Sequence, residues 1–275
     1  MLETGLRNRV LARLGFSATP EPTLAGLTSL YGAWCRMVPF DNIRKLIHLR
    51  RGDAGPLPGT EAAEFFEAWL RHGTGGTCWS GHTAWHALLA SLEFNAVRGV
   101  GTMLVAPDLP PNHATVFVHL GDTRYLVDAS ILHGEPLPVS AADGGVAHGA
   151  WGVQTRHTAT GQLMIRWRPI HMAEGLDCRI DTVDVPATVF VESHEKTRAW
   201  SPINYGLYAR INRGDRVVGA GMGQWIAFDA AGGVAQRTLH EKDRVRILVE
   251  ELGISEEMAR AVPADVPMPP PPKPA

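Results

Sequence analysis

The sequence predicts an α+β fold, on three observations: apolar residues recur at helical spacing through the first third, short β-type runs take over from Val97, and helix and strand patterns mix after Ala187. In the first third, Leu6, Val10, Leu11 and Leu14 mark one amphipathic surface helix; Leu24, Leu27, Leu30, Tyr31 and Trp34 mark a second. A Pro- and Gly-bearing loop from Arg51 to Gly59 leads to a helix over 61–71, with Phe65, Phe66, Trp69 and Leu70 on one side, and Cys78 to Leu92 forms the next. Strands are expected over 97–105, 115–120, 124–127, 152–154 and 162–167, as an antiparallel sheet or small barrel. A helix over 187–197, strands over 207–211, 215–220, 224–228 and 234–238, and a closing helix over 241–252 complete the pattern. Residues 263–275 are proline-dense and read as an extended, poorly packed tail.

With 275 residues, 45% of them hydrophobic, the chain can bury a sizeable core. A net charge of −2 gives no polyelectrolyte drive toward nucleic acid, and none is expected as a partner. The first residues lack the basic and apolar regions of a secretory signal, and no run reaches membrane-spanning length, so a cytoplasmic protein without a membrane partner is expected. Three cysteines, odd in number and widely spaced, fit neither a disulfide framework nor a zinc finger; Cys35 and Cys178 read as buried apolar side chains.

Cys78 stands apart. In Gly75-Gly76-Thr77-Cys78-Trp79 it opens a helix, where free backbone N–H groups and the helix dipole favour a thiolate. His113 stands at a strand entrance and Asp128 ends the hairpin partner strand, across the turn Gly121-Asp122-Thr123, so one sheet edge can bring imidazole and carboxylate together. Nucleophile, base and orienting acid are then Cys78, His113 and Asp128, although each residue alone has an ordinary explanation. His82 and His86 share a helix face at i and i+4, but no third ligand follows, so no metal is expected. The run Gly219 to Gly223 lacks a P-loop lysine and a following helix, and reads as a hairpin turn rather than a phosphate cradle.

Four landmarks in order resemble the arylamine N-acetyltransferase family over about residues 6–254: Val38-Pro39-Phe40-Asp41-Asn42, Gly75 to Trp79, Asn112-His113-Ala114, and Tyr125-Leu126-Val127-Asp128. The resemblance implies an N-terminal helical bundle (1–93) carrying the nucleophile, a central antiparallel β-barrel (94–186) carrying His113 and Asp128, and an α/β lid (187–262), after which the proline-dense composition predicts a disordered tail (263–275). It also implies an acyltransferase that passes an acyl group from a thioester donor through acyl-Cys78 to an amine in a ping-pong cycle, with coenzyme A thioester as donor substrate and no bound cofactor. An acyl carrier protein is the alternative donor.

The sequence departs from the family pattern in two places. The arginine before the paired glycines is Thr74 and the glutamate two residues after the cysteine is Ser80, leaving Arg71 as the candidate cation for Asp41. In the acceptor pocket Phe40 remains, while Ile131 and Ile203 stand where the family has aromatic residues. Branched aliphatic walls remove ring stacking, so an acceptor other than a simple arylamine is expected. An amide synthase or thiol hydrolase using the same triad, and a catalytically silent binding protein, are the alternatives.

Overall fold

The computed structural model describes residues 2–105, 109–140, 142–172 and 174–271. Helices α1 (Thr4–Arg13), α2 (Leu24–Met37), α4 (Ala62–His72) and α5 (Cys78–Ser91) pack around one apolar cluster. Helix α2 is not the surface helix expected from its spacing. Leu27, Leu30, Tyr31, Trp34 and Cys35 are all buried, with Trp34 stacked on Phe65 and 4.8 Å from Trp85 on α5. Helix α5 is likewise buried on most sides, which suits the uniformly apolar and small composition of its middle turns. A helix that the sequence did not announce, α3 (Ile43–Arg51), follows the short strand β1 (Phe40–Asp41). Its apolar residues Ile43, Leu46 and Ile47 are hidden among Arg44, Lys45, His48, Arg50 and Arg51, and it ends at Gly52 in the left-handed conformation.

The central sheet has eight antiparallel strands: β2 (Asn95–Met103), β3 (His113–Leu120), β4 (Thr123–Leu126), β5 (Leu137–Val139), β6 (Gly144–Val146), β7 (Val153–His157), β8 (Leu163–Trp167) and β9 (Leu176–Val183). They run in the order β5-β4-β3-β2-β9-β8-β7-β6. Leu137 near one edge and Val153 near the other share a core with Phe117, Ile165 and Ile180, so the sheet curls into a nearly closed barrel. Strand β9 was missed from the sequence. Its alternation of Leu176, Cys178 and Ile180 inward with Asp177, Arg179 and Asp181 between them is the signature of a half-buried strand.

The second sheet runs β1-β10-β11-β12-β13, with β10 (Tyr208–Asn212), β11 (Arg216–Gly221), β12 (Gln224–Asp229) and β13 (Val234–Thr238). Residues 40–51 therefore belong with the C-terminal sheet, across the division placed at residue 93: β1 pairs with β10, and α3 packs with α7 (Glu241–Glu250) and α8 (Glu256–Ala261). Helix α6 (Ala187–Lys196) packs on α5, with Phe190 edge-on to Trp79. Met222 and Gly223 both take positive φ between paired Gly221 and Gln224, so the glycine-rich run is a two-residue hairpin turn. The tail expected to be disordered lies partly outside the described residues, at 272–275. Before that it is held at three points, by Asp265 to the Leu207 N–H, by Val266 N–H to Tyr205 and by Trp200 to Pro269. No helix among the described residues is long and apolar enough to cross a membrane.

Trp85 couples core and sheet, since its indole N–H donates to the Val127 carbonyl at 3.1 Å, one residue before Asp128. Trp85→Ala is expected to cost about 3–5 kcal/mol, read from the urea midpoint; a loss below about 1 kcal/mol would contradict this coupling.

Candidate active site

Cys78 is presented by a loop that has no room for side chains. A Cβ on Gly75 would lie 1.8 Å from the Pro39 carbonyl oxygen, and one on Gly76 would lie 2.3 Å from Ser80 Oγ and 2.9 Å from the Phe65 ring. The buried Asp41 clamps this loop. It accepts the Gly75 N–H at 2.6 Å and the Ile43 N–H at 3.0 Å, while its own N–H donates to Gly76. Burial pushes the Asp41 carboxyl up to about 6, against those two bonds and the nearby Arg44 charge. The cation near Asp41 is Arg44, which is itself ion-paired with Glu64, while Arg71 is exposed at the end of α4. Thr74 is fully buried with its hydroxyl unpartnered, and Ser80 Oγ donates to the Thr77 carbonyl.

The sulfur of Cys78 is part-exposed at the first position of α5, and Thr77 ahead of it makes no side-chain cap. His113 opens β3 and is buried, with Nε2 donating to Asp128 Oδ2 at 2.8 Å. Burial disfavours the imidazolium, but the Asp128 charge and hydrogen bond, together with the neighbouring Cys78 sulfur, outweigh it and hold His113 at about 10. Because this is above the unfolded value, the ring's contribution to stability is complete below about pH 6.5 and is lost as pH climbs through about 10. With Nε2 committed to Asp128, Nδ1 is the nitrogen left for the sulfur.

Asp128 lies just past β4 with no exposure. Besides His113, its Oδ1 accepts backbone N–H bonds from Ser130 and Ile131 at 2.9 and 2.8 Å. Burial works against the charge, yet His113, ahead of the nearby His82 ring, holds the carboxyl well below its ordinary range. The turn it anchors carries Leu132 at φ 56, a left-handed geometry held by the Leu132 N–H to Asp128 carbonyl bond at 3.1 Å.

Three residues around this group, His82, Tyr31 and Lys45, have roles that the sequence pattern does not announce. His82, one turn below Cys78, is fully buried; its Nδ1 donates to the Cys78 carbonyl at 2.7 Å and its Nε2 accepts the Ala129 N–H at 2.8 Å. The same Nε2 lies 3.3 Å from Asp128 Oδ1, but it is already used by Ala129, so the ring is a strut between helix and turn rather than a second ion pair. His86 instead donates to Ala96, so the two histidines do not face a common ligand. Among the described residues, no cluster of three or more His, Cys, Asp or Glu is placed to hold a metal. Tyr31 donates to the Asp128 carbonyl at 2.7 Å. Lys45 on α3 is buried, which pushes it down to about 7 although the Cys78 sulfur works the other way; it donates to Thr197 Oγ1. The i, i+4 spacing of Cys78 and His82 was the available signal for the strut.

The three candidate pocket residues separate. Phe40 and Ile203 pack in one half-buried cluster with Tyr208, whereas Ile131 is buried in the barrel core.

Residues 23–158 match the N-acetyltransferase family model. The arylamine N-acetyltransferase of Mycolicibacterium smegmatis is 27% identical over 182 residues, an alignment spanning 58% of this chain and 62% of that enzyme's length. Solved structures share the whole fold. The arylamine N-acetyltransferase of Mycobacterium abscessus superposes with a TM-score of 0.76 at 17% identity, covering 95% of this chain and 97% of the other. That of Mycobacterium marinum in complex with CoA gives 0.76 at 19% identity, covering 92% and 97%.

Replacing the strut tests its role. His82→Leu leaves the buried Ala129 N–H without an acceptor, an expected loss of about 1–3 kcal/mol in urea unfolding; an unchanged midpoint would show that the ring is not holding the turn.

Proposed function

We propose that this chain, which belongs to the arylamine N-acetyltransferase family, transfers an acyl group from a coenzyme A thioester to an amine through an acyl-Cys78 intermediate. The observation that carries this is the buried His113–Asp128 pair beside Cys78, in which the imidazole is held at about 10. A ring of that basicity is an imidazolium at neutral pH, the form that pairs with a thiolate. The Cys78 thiolate attacks the thioester carbonyl, and the first-turn N–H groups of α5, which no side chain caps, receive the oxyanion. The coenzyme A thiolate leaves and takes the proton from His113. The amine then attacks acyl-Cys78, His113 accepts its proton, and the thiolate is restored as the amide departs. Asp128 stays ionised throughout and keeps Nε2 occupied, so Nδ1 always faces the reacting atoms.

The donor assignment is supported by a solved relative described in complex with CoA. For the acceptor, the partly buried Ile203 stands beside Phe40 and Tyr208 at a place where the family pattern has an aromatic residue, and the loss of that flat ring favours an amine other than a simple arylamine. Ile131 contributes to this site through its backbone, since its side chain is 1% exposed in the barrel core.

Intact mass spectrometry after brief mixing with acyl-CoA thioesters, in parallel with Cys78→Ala, tests the half-reaction. The expected result is one acyl adduct on wild type and none on the variant. A folded wild-type protein that forms no adduct with any donor would contradict the proposal.

A further inference from the structure

Arg210, at the centre of β10, is 1% exposed and forms no ion pair among the described residues. One nitrogen is satisfied, Nη2 donating to the Ile131 carbonyl at 3.0 Å, while Nε and Nη1 are buried without an acceptor. The guanidinium lies 5.0 Å from the centroid of the Trp167 ring, which offsets part of its charge. Burial lowers its pKa from the ordinary arginine value, with Tyr208, Cys35, Tyr31 and Asp128 acting in the opposite sense. Asp128 is no free partner, because its oxygens are taken by His113, Ser130 and Ile131. A buried cation without a counter-charge is costly, and two orphaned donors on one side chain call for an acceptor from outside the chain.

The position of this cation says where such an acceptor sits. Arg210 is the register partner of Phe40 on β1, and opposed residues project from one sheet face; Tyr208, two residues earlier, projects from that face as well. Phe40 meets Tyr208 edge-on at 5.6 Å, shares a cluster with Ile203, and is bridged to Gly76, two residues before Cys78. On the other side, the Ile131 carbonyl that Arg210 holds belongs to the turn anchored by Asp128. Phe40, Trp167 and Ile203 around it are part-exposed and His171, edge-on to Tyr208, is exposed, so displacing one of these side chains would open the guanidinium to a ligand.

We propose that Arg210 is an anion-recognition residue of the substrate pocket, and that the natural substrate carries a carboxylate, on the transferred acyl chain or on the acceptor amine, which accepts from Nε and Nη1. The inference rests on the acyl-transfer reading for turnover but not for binding. The donor arm of the test compares succinyl-CoA with butyryl-CoA; the acceptor arm compares 4-aminobutanoate with 4-aminobutanamide. In wild type, the carboxylate is expected to raise kcat/KM by about tenfold or more in one arm, the size of a charge-assisted hydrogen bond, and that arm names the source. In Arg210→Gln the ratio collapses to about one, and Arg210→Lys restores part of it. Equal kcat/KM within both pairs in wild type, or a preference that survives in Arg210→Gln, would overturn the proposal. The wild-type ratios decide it even where the variants do not fold. Calorimetric titration of Cys78→Ala with the same four compounds separates the two readings. Tighter binding of a carboxylate member without turnover in wild type keeps the Arg210 site and removes the transferase; equal binding with turnover does the reverse.

Discussion

The buried carboxylate of Asp128 is the constraint on which the rest of the site depends. Removing a charge from water is tolerable only when every lone pair is met, and here His113, Ser130 and Ile131 all donate to it. Each partner brings a different part of the fold. His113 brings β3, the Tyr31 bond to the Asp128 carbonyl brings α2, His82 and Trp85 bring α5 with its cysteine, and the turn through Leu132 carries carbonyls to Arg210 and Asn212 of β10. The N-terminal helices, the barrel and the C-terminal sheet converge on one ion pair, so the positions of sulfur and imidazole are fixed by core packing.

The family pattern's flanking charges have been exchanged for a different arrangement around the same cysteine. Where an arginine and a glutamate would stand, Thr74 and Ser80 are small, neutral and buried. The loop is held instead by Asp41 through backbone N–H groups, with Arg44 as its nearby cation and Lys45 buried within electrostatic reach of Cys78. Arg44 and Lys45 both come from α3, which docks against the C-terminal sheet. The surroundings of the nucleophile are thereby tied to the C-terminal sheet as well as to the N-terminal helices.

Much of this was legible in the sequence, because local pattern and tertiary role agreed. The order of helices, strands and mixed end unit follows from periodicity, and Cys78, His113 and Asp128 stood out through the glycine pair, the strand entrance and the hairpin that leads to Asp128. What was hidden had competing signals. Helix α3 was masked by five basic residues, β9 by acidic and basic residues at alternate positions, and α2 looked amphipathic although aromatic partners cover its other side. Arg71 is the cation nearest in sequence to Thr74, where the family pattern has its arginine, whereas the cation near Asp41 is Arg44, three residues further along the chain on α3. His82 reads from the sequence only as sharing a helix face with His86, because i, i+4 spacing records a shared face but not what lies across from it.

The central claim is that Asp128 keeps His113 charged at working pH. Heteronuclear NMR of the ring nitrogens across pH 6–11 tests this most directly, in wild type and in Asp128→Asn. Wild-type His113 should remain an imidazolium up to about pH 10, while in Asp128→Asn, where burial acts without the carboxylate, it should be neutral at pH 7. A wild-type ring that is neutral at pH 7, or a variant that titrates like wild type, would contradict the account.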